Sequence, residues 1–267
     1  MYESYWNLTA KPFRNNIDRN FFFYSSTYEE AYLRLIYGVM ESKGILVLTG
    51  NSGCGKSFLS KIFIKDMLEQ GYKIAFIANP NLEPLELLQQ VSYEFGLEYK
   101  DKTKAEILRN LKTFFEENQS QDKKNILIID EAHLIKNEQT LEEIRLLSNL
   151  ETENHSLLSI ILVGANELGN ILQKNLSLQE RIGLRCTLKA MNCRETGEYI
   201  YFRMEKAGCG REIFNAEAIK EIYTESEGIP RKINNICDLA LLLGYGDNAI
   251  VIDQSLIKKA ISDLKGV

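Results

Sequence analysis

Residues 44–57 have the sequence GILVLTGNSGCGKS, which indicates the architecture more strongly than any other part of the chain. Ile45–Thr49 is a short apolar run that predicts a buried strand. Gly50–Ser57 then fits the pattern GxxxxGK[ST], and Ser57–Gln70 predicts a helix that ends before Gly71. A phosphate-binding loop requires this order of strand, loop and helix. An ordinary glycine-rich turn is the alternative, and the flanking strand and helix disfavour it.

The chemistry of phosphate binding explains the spacing of this loop. Glycines allow successive backbone N–H groups to converge on one concavity, and the following helix adds partial positive charge there. Lys56 is then expected to reach the β- and γ-phosphates of ATP, and the Ser57 hydroxyl to ligate Mg²⁺. Cys54 is interpreted as a small space-filling residue rather than a redox group. The predicted nucleotide-binding residues are Gly50, Asn51, Ser52, Gly53, Cys54, Gly55, Lys56, Ser57 and Phe58.

A second apolar run, Asn125–Asp130, predicts a strand that ends in paired carboxylates. Asp130 is expected in the Mg²⁺ shell, as in a Walker B strand, and Glu131 is expected to polarise the attacking water. Residues 130–133 also spell DEAH, but we find no other helicase motif in the chain. We interpret His133 as a packing or hydrogen-bonding residue rather than a catalyst.

The order of predicted elements indicates an α/β protein with a helical addition. Further strands are predicted at Lys73–Ala78, Leu157–Gly164 and Leu184–Lys189, alternating with helices, which favours a parallel sheet covered on both faces. After about residue 190 only helices are predicted. We therefore divide the chain into an N-terminal aromatic lead with a helix (1–43), a nucleotide-binding α/β core (44–190) and a helical lid (191–267).

The composition and net charge of the chain exclude some classes of protein function. The 267 residues are 45% hydrophobic and 26% charged, as in soluble globular proteins, which excludes fibrous and largely disordered classes. The net charge of −5 disfavours nonspecific DNA binding by the overall field of a monomer. No membrane span and no signal peptide are predicted. The five cysteines are scattered and form no CxxC pair, which predicts reduced thiols and a cytoplasmic location.

With these motifs in place, the chain resembles the AAA+ ATPases, and more narrowly the ExeA group, also called general secretion pathway protein A. The resemblance covers nearly the whole chain. Beyond the phosphate-binding loop it is carried by residues 5–13, 22–24, 31–35, 128–134, 146–152, 161–164 with 167–168, and 228–234.

The resemblance implies a three-layer P-loop fold with strand order 5-1-4-3-2 and further site residues. The family places a polar residue, sensor 1, after the fourth strand; here Ala165 occupies the usual position, and Asn166 is the expected sensor. Arg181, with Arg185 in reserve, matches an arginine finger that acts on ATP held by a neighbouring subunit, which implies a ring or helical oligomer. Arg231 matches sensor 2. Phe13 and Tyr28, with Ile229, are expected either to line an adenine pocket or to pack in a core.

The resemblance leaves the biological purpose open. The favoured expectation is a cytosolic ATPase that regulates DNA transposition with a transposase, similar to TniB and MuB. Its phosphate contacts would come from basic residues at Lys102, Lys104, Arg109, Lys112, Lys123 and Lys124. The alternative interpretation is that these residues form a solvated protein face and bind no phosphate. The alternative is an ATPase for secretion or type IV pilus assembly, and a further alternative is a nucleotide-dependent binding module without hydrolysis.

Overall fold

The computed structural model describes residues 1–152 and 156–266, which form two compact units. The α/β unit comprises Thr27–Ser52 and Lys56–Leu188. The helical unit comprises Met1–Ser26, Gly53–Gly55 and Lys189–Val267. The lead and the helix after it, which the sequence analysis grouped in one segment, fall in different units.

The α/β unit is built on a five-stranded sheet in which all neighbouring strands are parallel. The spatial order is β2-β3-β4-β1-β5, which is the expected order 5-1-4-3-2. Every residue of β3 and β4 is buried, because both strands lie inside the sheet and are covered on both faces. The strands are β1 (Ile45–Gly50), β2 (Lys73–Ile77), β3 (Asn125–Ile129), β4 (Ser159–Gly164) and β5 (Ile182–Leu188).

Helices connect the strands of this unit. Most match the periodicity in the sequence, and α4 begins with a capping box in which Thr103 and Glu106 bond each other's backbone N–H groups. Two short helices after β4, α6 and α7, were not predicted. The helices are α1 (Ser26–Met40), α2 (Lys56–Glu69), α3 (Pro84–Glu94), α4 (Lys104–Ser120), α5 (Glu138–Ser148), α6 (Glu167–Lys174) and α7 (Leu176–Gln179), with a 3₁₀ turn at Ala132–Leu134.

The helical unit packs the aromatic lead against helices from the other end of the chain. Trp6 is fully buried, and its indole N–H donates to the carbonyl of Leu241 at 2.9 Å. A Cβ at Gly244 would lie 2.9 Å from the Trp6 ring, so glycine makes room for the indole. The unit contains α8 (Cys193–Lys206), α9 (Ala216–Ser226), α10 (Pro230–Gly246) and α11 (Gln254–Lys265), with a 3₁₀ turn at Arg19–Phe21.

A buried guanidinium joins the lead to α8 in the same unit. Arg203 donates to the Tyr199 hydroxyl at 2.7 Å and to the Arg14 carbonyl at 3.0 Å, and it lies over the Phe21 ring at 5.2 Å. Burial raises the pKa of Tyr199, so this phenol stays neutral and accepts the hydrogen bond. The lead is therefore an integral part of the helical core.

Replacing Trp6 with alanine tests this packing. We expect the free energy of unfolding to fall by about 3–5 kcal/mol, because a large buried ring and its hydrogen bond are both removed. Urea unfolding followed by circular dichroism measures the loss. Tyr201, an exposed aromatic residue on α8, is the matched control, and its replacement with alanine is expected to cost less than about 0.5 kcal/mol. Equal losses for the two variants would contradict the structural role of the lead.

Candidate functional site

The phosphate-binding loop follows β1, and Lys56 begins α2, as the motif requires. The Lys56 ammonium is buried and donates to the carbonyls of Gly50 at 2.9 Å and Asn51 at 3.1 Å. Both carbonyls are neutral acceptors, and a nucleotide phosphate would offer the same ammonium a stronger, negatively charged acceptor. Lys56 is therefore held by the loop at the position where it can exchange these bonds for a phosphate.

The middle of the loop, Gly53–Gly55, belongs to the helical unit. Within that unit the backbone N–H of Arg231 donates to the Gly53 carbonyl at 3.3 Å. Gly53 has φ +81°, and a Cβ there would lie 3.0 Å from side-chain atoms of Ile229 and Arg231, so both conformation and space favour glycine. Cys54 is buried, which fits its interpretation as a space-filling residue.

The paired acids follow β3. Asp130 is buried, its backbone N–H donates to the Ile77 carbonyl at 2.8 Å, and its carboxylate accepts the Glu131 N–H at 2.9 Å. Glu131 has the left-handed conformation, with φ +52° and ψ +34°, and its side chain is 46% exposed. The backbone thus turns at Glu131 and leaves its carboxylate accessible to water.

The donor set suits a magnesium ion. The Ser57 hydroxyl and the Asp130 carboxylate are hard oxygen ligands, the type that Mg²⁺ prefers when it is also bound by phosphates. No group of three or more histidine, cysteine or acidic side chains positioned to hold a metal occurs among residues 1–152 and 156–266.

The residues after β4 reach the phosphate-binding loop. Asn166 Nδ2 donates to Asn51 Oδ1 at 2.6 Å, within the α/β unit. Ala165 has no polar side chain, and its backbone N–H donates instead to His133 Nδ1 at 3.2 Å. The contact with Asn51 supports Asn166 as the polar residue that faces the loop. The sequence analysis interpreted His133 as a packing or hydrogen-bonding residue, and the structure supplies the partner, the Ala165 amide, which the sequence did not indicate.

Arg181 lies at the opposite end of the sheet from the phosphate-binding loop. It is exposed just before β5, and its carbonyl accepts the N–H of Ile45, the first residue of β1, at 3.2 Å. Arg185, the reserve candidate, is exposed on β5, and its carbonyl accepts a hydrogen bond from Arg34. The six residues of β1 span about 17 Å at about 3.3 Å per residue. Arg181 is thus too distant for its side chain to reach the loop of its own chain.

The aromatic residues expected near adenine are largely core residues. Phe13 is buried in the helical unit with its ring edge-on to Phe214, 6.0 Å between centroids. This favours the packing alternative for Phe13. Tyr28 is buried on α1 and Ile229 is buried in the helical unit, whereas Phe58 is half-buried on α2.

Several of the basic residues considered for DNA phosphates are paired with acids. Lys102 lies 3.1 Å from Glu98. Lys112 lies 3.7 Å from Glu116. Lys104 forms an ion pair with the buried Glu143. In contrast, Lys123 and Lys124 bond to the neutral partners Gln121 and Ser42. The three ion pairs therefore offset part of the positive charge that the number of basic residues suggests.

Within the described ranges, we find no helix with the length and apolar character that crossing a membrane requires.

Comparisons with known proteins agree with this geometry. The family model described as an AAA domain matches residues 39–172. General secretion pathway protein A of Aeromonas hydrophila is 32% identical over 271 aligned positions, which cover 100% of this chain and 49% of that protein. The chain thus spans about half the length of this relative.

Solved structures show the same fold at low sequence identity. The ORC2 protein of Aeropyrum pernix has a TM-score of 0.69 at 17% identity, covering 94% of this chain and 71% of that one. The RuvB Holliday junction branch migration motor of Thermotoga maritima has a TM-score of 0.62 at 18% identity, covering 93% and 72%. Together with the phosphate-binding loop and the paired acids, the family model shows that the chain belongs to the AAA+ ATPases, and its similarity to general secretion pathway protein A extends along the whole chain.

Proposed function

We propose that this chain is an ATP-driven switch that oligomerises when ATP is bound and acts in a secretion-type assembly process. The observation that carries the proposal is the position of Arg181, exposed beside the first residue of β1. An arginine there is available to a nucleotide held by a neighbouring copy, where it would offset the charge that develops on the transferred phosphate. A second copy would therefore complete each site.

The roles at each site follow from the chemistry of the residues. Lys56 and the loop amides would bind the phosphates, with Asn51 and Asn166 beside them. Ser57 and Asp130 would hold Mg²⁺, which neutralises phosphate charge when bound. Glu131 would accept a proton from the attacking water. Arg231 would act as sensor 2 near Gly53, to which its backbone is bonded.

The identity of the process rests on the match to general secretion pathway protein A, 32% over the whole chain. The ion pairs at Lys102, Lys104 and Lys112 also weigh against a strongly basic DNA surface. A DNA-coating regulator that works with a transposase is the second candidate. Lys123 and Lys124 favour it, since both ammonium groups bond to neutral partners that do not offset their charge.

We also propose a cytoplasmic location. All five cysteines are free thiols, and burial raises the pKa of Cys186 to about 11 and that of Cys237 well above its usual range. Thiols that stay protonated are poor nucleophiles and form disulfides slowly. A reducing compartment suits such a set of cysteines.

Sedimentation and phosphate release on the same samples test the proposal. We expect a Mg²⁺–ATP analogue to shift the protein to an oligomer, ADP to leave it smaller, and turnover per chain to rise with protein concentration. We expect added double-stranded DNA at low salt to change turnover less than about twofold, because three of the six basic residues considered are paired with acids. A monomer with full turnover would contradict oligomerisation. DNA stimulation that is lost at higher salt, and lost on replacing Lys123 and Lys124 but not Lys102 and Lys112, would favour the second candidate.

A further inference from the structure

The imidazole of His133 lies between the carboxylate of Glu131 and the end of β4. Its Nδ1 accepts the backbone N–H of Ala165 at 3.2 Å, and the same nitrogen lies 3.5 Å from Glu131 Oε2. The side chain of His133 is only 20% exposed, against 46% for Glu131. A largely enclosed ring therefore lies beside a more accessible carboxylate.

The hydrogen bond from Ala165 constrains the ring. A nitrogen that accepts an N–H must carry a lone pair, so the hydrogen-bond geometry assigns the proton of the neutral imidazole to Nε2. Because the donor is a backbone amide next to β4, rotation of the ring would leave that amide without its acceptor. The Ala165 amide thus holds the edge of the imidazole that faces Glu131.

The backbone on both sides permits this close approach. The backbone of Glu131 has the left-handed conformation. The Leu134 N–H donates to the Glu131 carbonyl at 2.8 Å, and this bond folds the 3₁₀ turn back over Glu131. A Cβ at Gly164 would lie 3.3 Å from His133 Nδ1 and 3.0 Å from Leu168. The absence of a side chain at Gly164 leaves space for the imidazole.

We propose that His133 is a positioning residue for hydrolysis: anchored by the Ala165 amide, its ring and the lone pair on Nδ1 exclude the Glu131 carboxylate from the space beside β4 and so keep it directed toward the attacking water. The inference rests on the proposed role of Glu131 as the group that accepts the proton. It assigns a specific role to a side chain that the sequence alone describes only as packing or hydrogen-bonding.

Three substitutions at one position separate positioning from packing. In His133→Asn, the amide Oδ1 can take the place of Nδ1 as acceptor for Ala165, whereas phenylalanine keeps the ring without an acceptor, and glutamine places its polar atoms one bond farther out. We expect His133→Phe and His133→Gln to lower kcat about 10- to 100-fold with KM for ATP within about twofold, as misplacement of a catalytic group does. We expect His133→Asn to recover kcat to within about threefold of wild type.

A double-mutant cycle tests whether His133 acts through Glu131. If it does, adding His133→Phe to Glu131→Gln lowers kcat no further than Glu131→Gln alone. Equal effects of His133→Phe in both backgrounds, or wild-type kcat in His133→Phe, would overturn the positioning role while leaving the role of Glu131 intact. Wild-type turnover in Glu131→Gln would remove both roles. Melting temperatures verify folding, and His133→Gln replaces His133→Phe in the cycle if the latter does not fold.

Discussion

Replacing Arg181 with alanine is expected to lower ATP turnover on the order of 10³-fold, which is the size of the contribution that arginine fingers acting between molecules make to kcat. Arg181 is exposed and sits beside the start of β1, at the end of the sheet opposite the phosphate-binding loop. Binding of ATP to the same chain is expected to remain, since Lys56 and the loop amides lie at the other end. Phosphate release and nucleotide titration measure the two effects separately.

Mixing two inactive variants shows whether the arginine acts between copies. Lys56→Ala removes the ammonium that would bind phosphates but keeps Arg181, whereas Arg181→Ala keeps the phosphate-binding loop. We expect each variant alone to be inactive and the mixture to recover measurable turnover, because one copy supplies ATP and the other supplies the arginine. Arg194→Ala is the matched control, since Arg194 is an exposed arginine paired with Glu198. No recovery in a mixture that sediments as a mixed oligomer would contradict action between copies.

Replacing Glu131 with glutamine is expected to lower kcat on the order of 10²- to 10⁴-fold while nucleotide affinity stays near wild type. Glutamine keeps the size of the side chain but cannot accept the proton of the attacking water, and general-base catalysis is worth about that factor. The carboxylate is accessible, so its loss causes no buried unpaired charge and little change in stability. Single-turnover phosphate release with equilibrium nucleotide binding measures the expected separation.

Glu138→Gln is the matched control, because Glu138 is an acidic residue in the first turn of the neighbouring helix α5. We expect it to leave kcat within about twofold, as surface substitutions away from a site do. Equal turnover in wild type and Glu131→Gln, both at background rate, would instead support a nucleotide-binding module without hydrolysis and would conflict with the family assignment.

The sheet could be predicted from sequence because its signals are local. The run Asn125–Ile129 is apolar throughout, and a strand buried on both faces has that composition. The strand order came from the family resemblance, since periodicity alone does not specify which strands are neighbours. The helices α6 and α7 escaped prediction because they have 8 and 4 residues, too few for a periodic pattern to emerge.

Among the site residues, too, those that belong to short local motifs could be predicted, whereas contacts between distant parts of the sequence could not. Lys56 and Asp130 could be predicted as site residues because their positions in short motifs indicate their chemistry. The contact of Asn166 with Asn51 depends on the turn that opens α6, which no short motif specifies. The bond between His133 and Ala165 joins residues 32 positions apart and exists because β3 and β4 are neighbours in the sheet. The sequence around either residue does not indicate such a contact.

The membership of the aromatic lead in the helical unit has a consequence for biosynthesis. The α/β unit is drawn almost entirely from one continuous stretch, residues 27–188, whereas the helical unit needs both Met1–Ser26 and Lys189–Val267. Because the ribosome synthesises the chain from its N-terminus, Trp6 cannot be buried against Leu241 until Leu241 has been translated. The sheet can therefore form while the nascent lead still exposes its aromatic rings, and exposed apolar surface of this kind is what promotes aggregation of incompletely synthesised chains.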